Sequence, residues 1–184
     1  CTFRNVTEML LTVYGEMLKN HAPEEVCFLG DSAGAALALM LCHHNKSLSH
    51  PFPMPGKLIL VSPGMMTGAD QKTWDEMRRI LPHDPMLSIE FTDAMASIMS
   101  LSSDENDYFS VPFYGDFTGF PDMHVFTGTY EIFHAQAPGL VERAQAAGVN
   151  ARIYAGEKMM HVWPYIPFAP ESRRALEQIF ELIG

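Results

Sequence analysis

Ser32 lies in a short motif whose residue types suit a covalent nucleophile. The chain is apolar at residues 26–29 and again, with small side chains, at residues 35–42, which predicts a buried strand followed by a buried helix. A serine on the tight turn between them stands clear of the sheet, and glycines on either side leave room for the neighbouring strand and helix. We therefore predict a nucleophilic serine within the turn formed by Gly30, Asp31, Ser32, Ala33 and Gly34.

The position of Ser32 before a helix also predicts where a developing negative charge would be stabilised. Backbone N–H groups and the positive end of the helix dipole point toward an oxyanion formed beside the serine Oγ. The N–H of Ala33 is the first donor that we expect there. The alternative is a small residue that only the tight turn requires, with no chemical role.

A serine hydroxyl needs a base to take its proton, and the chain has eight histidines. We predict that His161 is the base, because it follows the last predicted strand in a loop that would overhang the turn. His124 opens a strand and His134 begins a helix, so we interpret both as structural. His43 and His44 end the helix after the turn, where a protonated imidazole suits the helix dipole, and adjacent positions on a helix are not metal-ligand spacing. We expect no metal site and no cofactor.

A carboxylate must orient the base, and Glu131 follows the predicted strand at residues 125–126 at its carboxyl end. Asp122 precedes the same strand and would lie at the opposite end. The alternative for Glu131 is a solvated surface carboxylate, in which case the acid would be elsewhere, for example at Glu157. The three predicted catalytic side chains, in chain order, are Ser32, Glu131 and His161.

Strand and helix patterns alternate along the chain. Short apolar runs without polar alternation predict strands that are covered on both faces. Apolar residues at helical spacing predict the helices that cover them. We therefore predict the α/β class, a parallel sheet with helices on both faces, in a single domain over residues 1–184. The predicted strands are at residues 26–29, 58–61, 125–126 and 151–154, and the predicted helices are at residues 6–18, 35–42, 71–80, 88–99 and 138–147 and from residue 170.

Residues 65–122 interrupt this alternation, and we predict that they form a cap over the strand ends. Two of the predicted helices and an acidic loop at residues 102–107 lie within it. Thioethers and aromatic rings in the cap could line a pocket for the acyl or alcohol group, although such residues at this spacing are more often core. The residues concerned are Met65, Met66, Trp74, Phe91, Met95 and Met99.

Composition restricts the partners of the protein. The 184 residues are 47% hydrophobic and 18% charged, as in an ordinary globular domain, and carry a formal net charge of −10. Nucleic acid and anionic membranes are therefore unfavourable partners, whereas a homodimer stays open. Two of the three cysteines, Cys27 and Cys42, lie in apolar runs, which predicts free buried thiols. Since no signal-type apolar region and no membrane-spanning run occurs in the sequence, we expect a cytoplasmic protein, and because the chain begins at Cys1 a signal peptide ahead of it stays an open alternative.

The serine turn is accompanied by three further stretches of recognisable pattern. They are Gly-Thr-Tyr-Glu-Ile at residues 128–132, Ala-Ala-Gly-Val at residues 146–149 and Met-His-Val-Trp at residues 160–163. Together these stretches resemble the hormone-sensitive-lipase-like branch of the α/β-hydrolases, the bacterial acetyl-esterase and carboxylesterase type. The likeness spans nearly the whole chain.

This resemblance implies the α/β-hydrolase fold and a serine esterase. The expected reaction is hydrolysis of a small-molecule ester with a short acyl chain, through an acyl-enzyme. The expected roles are nucleophile for Ser32, acid for Glu131 and base for His161. Many relatives place Asp where Glu131 stands in this chain.

One family motif is absent from the sequence. The family has a His-Gly-Gly-Gly stretch upstream of the serine turn, which completes the oxyanion hole, and strands that precede the first helix seen here. Without them, the strand before Ser32 would have an unpaired apolar edge, which isolated domains avoid. We therefore expect the C-terminal portion of a longer hydrolase, with the preceding segment of the same protein as its partner. We expect residues 1–184 alone to be insoluble or inactive.

Two other functions are compatible with the same fold. One is a small-molecule-binding receptor, as in the plant gibberellin receptors, which resemble this branch but have lost the triad histidine; His161 argues against it. The other is amide hydrolysis, which uses the same three side chains and is not separated from ester hydrolysis by the sequence.

Overall fold

A parallel sheet forms the centre of the molecule. The computed structural model describes residues 3–64, 69–91, 94, 97, 108–109 and 111–184. The described strands form one sheet in the order β1-β2-β3-β4, and every neighbouring pair is parallel. Their bounds are Cys27–Asp31 for β1, Lys57–Val61 for β2, Asp122–Gly128 for β3 and Ala151–Gly156 for β4.

Helices connect the strands and extend beyond the predicted boundaries in several places. The helix after the serine turn runs to Ser47, beyond the predicted end at His43 and His44. Within the segment predicted as a cap, one helix is at the predicted position, and residues 89–91, 94 and 97 are helical as well. The rest of that second helix and the loop at 102–107 lie outside the described residues. The helix bounds are Phe3–Met17 for α1, Ala33–Ser47 for α2, Gln71–Ile80 for α3, Ala137–Ala146 for α4 and Pro170–Ile183 for α5.

Both faces of the sheet are covered, because alternate residues of each strand belong to different apolar clusters. Met123 and Val125 of β3 pack in the cluster that contains α2 and α4. Phe126 belongs instead to the cluster that contains α5. This arrangement confirms the α/β class and explains why the strands have no polar alternation.

The outer side of β1 is open. Among the described residues, β1 pairs with β2 alone, and the side chain of Leu29 is 44% exposed. The apolar stripe of α1 needs sheet to cover it, and three of its residues are left uncovered among the described elements. Met9, Val13 and Met17 are exposed, and Val13 and Met17 line an apolar groove of about 400 Å³ along β1. They are exposed because no described element covers this side of the sheet.

The last helix shows a similar difference. Ala175 and Ile179 of α5 are buried against the sheet, as the pattern predicts. The apolar spacing of this helix in the sequence predicts Phe180 and Ile183 on the same face, but both side chains are exposed. The buried face is therefore narrower than the apolar stripe in the sequence.

His43 is not the exposed, protonated residue that its place near a helix end predicts. The ring is buried, its Nε2 donates to the Pro112 carbonyl at 3.0 Å, and it packs against Phe117 and Phe120. Burial lowers the pKa of His43 to about 4. His43 is therefore a neutral core residue near pH 7. It is also not at the end of the helix, which continues to Ser47.

This buried imidazole predicts acid sensitivity of the fold. Between pH 6.5 and about pH 4, the unfolded chain binds a proton at His43 that the folded chain does not bind. The free energy of unfolding should therefore fall as the pH falls through this window, by about 3 kcal/mol from this residue. His43→Gln retains a donor for the Pro112 carbonyl and should flatten the slope, as measured by urea unfolding at a series of pH values. An unchanged slope would contradict this assignment.

Cys27 and Cys42 are free thiols, and burial raises the pKa of both. Cys42 is buried as predicted, whereas Cys27 is only half-buried because it lies on the open side of β1. Across the described part of the chain, no helix is both long and apolar enough to cross a bilayer.

Candidate active site

Ser32 stands at the carboxyl end of β1 in a strained backbone conformation. Its φ of 52° and ψ of −119° are rarely adopted by residues other than glycine. Its N–H donates to the Val61 carbonyl of the adjacent strand at 2.9 Å. A Cβ at Gly30 would lie 2.4 Å from the Gly34 carbonyl oxygen, so the sharp return of the chain requires glycine at position 30. The turn therefore has the geometry that the sequence predicts for a nucleophile.

The other residues of the turn lie on its open side. Asp31, Ala33 and Gly34 are all exposed. The prediction that Gly34 is required to avoid a collision is not supported, because a Cβ there would meet no described atom within 4 Å. Gly34 faces the open groove along β1. Ala33 is the first residue of α2, and a helix leaves the N–H of its first residues without an intrahelical acceptor.

His161 lies between Ser32 and Glu131, in the loop that follows β4. Its Nε2 is 2.9 Å from the Ser32 Oγ, and its Nδ1 is 2.6 Å from the Glu131 Oε2. The imidazole is buried, and the ring of Phe133 packs against it with the centroids 5.6 Å apart. The structure therefore brings together the three side chains that the sequence predicts as nucleophile, base and acid.

Glu131 is fully buried, at 0% exposure, so the alternative of a solvated surface carboxylate is wrong. Its Oε1 accepts the Thr127 hydroxyl at 2.7 Å and the Gly128 N–H at 2.9 Å, while its Oε2 accepts from His161. A Cβ at Gly128 would lie 2.1 Å from the Met159 carbonyl oxygen, so glycine allows the loops after β3 and β4 to approach each other. This contact places the acid and the base side by side.

The hydrogen bonds determine which nitrogen of His161 carries the proton. A carboxylate only accepts hydrogen bonds, so the Nδ1 that faces Glu131 is the donor. In the neutral ring, Nε2 then has a free lone pair directed at the Ser32 hydroxyl. The arrangement can therefore remove a proton from Ser32 and hold the resulting imidazolium beside a carboxylate.

The other predicted candidates lie away from this line of contacts. His124 is buried, and its Nδ1 is 3.0 Å from the Tyr154 hydroxyl, which supports a structural role. His134 lies in a short 3-10 helix that follows Glu131, and its Nδ1 is 3.4 Å from the Thr127 Oγ1. Asp122 is exposed at the amino end of β3, and Glu157 is exposed as well. Within the described ranges, no group of three or more His, Cys, Asp or Glu side chains could hold a metal ion.

Two supporting residues were not found from the sequence. Thr127 fixes the carboxylate of Glu131 from the end of β3. Asp84, in the loop after α3, accepts the N–H of Ile132, the residue that follows Glu131, at 2.9 Å. Its other oxygen accepts the N–H groups of Met86 and Leu87, so it joins two loops. No local pattern in the sequence distinguishes either residue from an ordinary polar side chain at a strand or helix end.

Two of the six residues predicted to line a pocket in the cap lie in the described part of the chain. Trp74 packs against a core cluster that contains Met77 and Phe133, which agrees with the core interpretation. Phe91 is 54% exposed. The four remaining residues, Met65, Met66, Met95 and Met99, lie outside the described residues.

Comparison with known proteins places these features in a family. The family model for the alpha/beta hydrolase fold matches residues 2–165. An acetyl-hydrolase from Streptomyces hygroscopicus is 29% identical over 177 residues, covering 95% of this chain and 58% of its own length. An esterase from Acinetobacter venetianus is 30% identical over 182 residues, covering 95% and 57%. The chain thus spans little more than half the length of these relatives.

A solved structure adds evidence from the fold. An esterase from the bacterial hormone-sensitive lipase family superposes with a TM-score of 0.84 at 26% identity, over 96% of this chain and 59% of that one. This similarity confirms the resemblance to that branch. Since the family model matches nearly the whole chain, and the sheet and serine turn agree with it, this chain belongs to the family of the alpha/beta hydrolase fold.

Proposed function

We propose that the protein hydrolyses carboxylic esters with Ser32 as the nucleophile. The observation that carries the proposal is the continuous line of hydrogen bonds from Ser32 through His161 to Glu131, at 2.9 Å and 2.6 Å. The base and the acid are both buried, so this line is shielded from water except at the serine. Such a line activates a hydroxyl that is otherwise a weak nucleophile.

The proposed reaction proceeds through an acyl-enzyme. His161 Nε2 takes the Ser32 proton while Oγ attacks the acyl carbonyl, and the resulting imidazolium donates its proton to the departing alcohol. A water then gives a proton to the same nitrogen and attacks the acyl group, and the imidazolium returns that proton to the Ser32 Oγ as the acyl bond breaks, which releases the acid and restores Ser32 and neutral His161. Glu131 keeps Nδ1 protonated and stabilises the imidazolium in both halves of the reaction. The Ala33 N–H is the proposed oxyanion donor from this chain.

We further propose that another segment of the same protein covers the open side of β1. The support is the bare strand edge, the apolar groove beside it, and the exposed Met9, Val13 and Leu29. An unpaired apolar edge attracts other chains. Residues 1–184 expressed alone should therefore aggregate, and the protein produced from its complete natural reading frame should stay monodisperse in light scattering. A monodisperse fragment with full esterase turnover would contradict this proposal.

For the substrate, we propose esters with short acyl chains. The support is the similarity to an acetyl-hydrolase and to bacterial esterases. The test compares p-nitrophenyl acetate, butyrate and dodecanoate with p-nitroacetanilide, using the complete natural protein. We expect the highest kcat/KM for acetate or butyrate. Preference for dodecanoate would overturn the short-chain assignment, and faster anilide cleavage would favour an amidase. Saturable ester binding without turnover would favour a receptor.

A further inference from the structure

A second buried serine lies beside the proposed active site. Ser62 follows β2 directly, is 0% exposed, and has a φ of 48°, in the left-handed region. Its N–H donates to the Phe126 carbonyl of β3 at 2.6 Å. Its Oγ accepts the N–H of Val162 at 2.8 Å, across 100 residues of sequence. This hydrogen bond joins the carboxyl end of β2 to the loop that carries His161.

The residue that Ser62 holds is itself strained. Val162 has a φ of 51° and a ψ of 31°, which is left-handed backbone. This conformation is unfavourable for an L-residue, and it is rarest for β-branched side chains. Such strain persists only where the surroundings enforce it, and it is concentrated at functional sites. Val162 immediately follows the proposed base, so its backbone conformation sets the direction in which the chain leaves His161.

We propose that Ser62 is a positioning residue for His161, an inference that rests on the proposed function. The His161 ring must reach Ser32 and Glu131 at the same time, at 2.9 Å and 2.6 Å. The hydroxyl of Ser62 fixes the next peptide N–H from the end of a strand that is paired on both sides. Without it, Val162 can relax toward right-handed backbone, and the imidazole then loses one of its two contacts.

The location of Ser62 makes it suited to this role. β2 lies between β1, which carries Ser32, and β3, which leads to Glu131. Two residues later, the Gly64 N–H reaches the Ser32 carbonyl at 3.4 Å. The short segment after β2 therefore contacts the backbone of both loops: Gly64 contacts the serine turn, and the Ser62 side chain contacts the loop that carries His161.

The first test removes the hydroxyl in two ways. Ser62→Ala keeps the Cβ and therefore the strain of the left-handed φ, whereas Ser62→Gly relieves that strain, and both leave the Val162 N–H without its acceptor. In the complete natural protein we expect each variant to lower kcat for p-nitrophenyl acetate by about 10- to 100-fold, with KM changed less than about threefold. Loss in Ser62→Ala alone would assign the effect to backbone strain and overturn the proposal.

A matched control is available in the same region. Ser172 is buried, and its Oγ donates to the Trp163 carbonyl at 2.6 Å, so it also binds the loop after His161. Ser172→Ala should lower the melting temperature without lowering kcat more than about threefold. If it lowers kcat as much as Ser62→Gly does, the role of Ser62 is merely structural and the proposal fails.

Relief of the strain provides a second test. Val162→Gly removes the penalty for left-handed backbone, so the hydroxyl should matter less in that background. We expect Ser62→Gly to lower kcat by only a few-fold when Val162 is already glycine, which a double-mutant cycle reports as coupling between the two positions. Fully multiplicative losses would contradict the proposed connection.

A readout without catalysis separates this proposal from the proposed function. The His161 Nδ1–H that faces Glu131 should give a far-downfield proton resonance in NMR, because the hydrogen bond is short and shielded from solvent. We expect this resonance in the wild-type protein and in Ser172→Ala, and its loss or broadening in Ser62→Gly. An unchanged resonance in Ser62→Gly would overturn the positioning role. If the wild-type protein shows no esterase activity but Ser62→Gly still alters this resonance, only the proposed function is refuted.

Discussion

Replacing Ser32 by alanine should abolish ester hydrolysis, with kcat for p-nitrophenyl acetate lowered by roughly 10⁴- to 10⁶-fold in the complete natural protein. The expected loss is this large because the hydroxyl forms the covalent intermediate, and because the Ser32 Oγ is the group that faces the His161 Nε2. The backbone strain at position 32 is the same for alanine as for serine, since both carry a Cβ at a φ of 52°.

The control for this variant is its fold. Ser32→Ala should keep the melting temperature and the near-ultraviolet circular dichroism of the wild-type protein, because it removes one partly exposed oxygen. Activity within about tenfold of wild type, in a preparation shown by mass spectrometry to contain only the variant, would remove Ser32 from the mechanism.

Replacing Glu131 by glutamine should lower kcat by about 10⁴-fold. The reason lies in the partners of the two carboxylate oxygens. Oε1 accepts from the Gly128 N–H and the Thr127 hydroxyl, so the amide oxygen of glutamine will occupy that position. Its NH₂ group then faces His161 Nδ1, which becomes an acceptor. In the neutral ring the proton moves to Nε2, which can no longer accept the proton of Ser32.

Glu131→Asp provides the matched comparison. Aspartate keeps the charge but is one methylene shorter, so kcat should fall less than it does for glutamine. Both variants are measured with p-nitrophenyl acetate at saturating substrate. Near-wild-type turnover of Glu131→Gln would contradict the assignment of the acid, and the corresponding variant of Glu157 would then be the next to measure.

The sequence was sufficient for those parts of the fold and site that depend on local pattern. Apolar runs located every described strand, because a strand covered on both faces shows no polar alternation. Ser32, Glu131 and His161 follow β1, β3 and β4, which predicts that they meet, because the carboxyl ends of parallel strands share one edge of the sheet. Their contact distances agree with that reasoning.

The features that sequence reasoning missed depend on contacts between distant segments. Ser62 and Asp84 act on the backbone of residues far along the chain, and their types alone are those of ordinary polar residues at element ends. His43 is neutral because aromatic residues from a later segment bury it, which its place near a helix end does not show. The apolar stripe of α1 predicts a helix correctly, but not which element covers each side of it.

The most direct test of the central claim is labelling with a fluorophosphonate, followed by mass spectrometry of the tryptic peptides. Only a serine activated by a base reacts readily with this reagent. We predict a single stoichiometric adduct on Ser32 in the wild-type protein, lost in Ser32→Ala and strongly slowed in Glu131→Gln. An adduct on another serine in place of Ser32, or undiminished ester hydrolysis in protein that is fully labelled on Ser32, would contradict the proposal that Ser32 is the nucleophile.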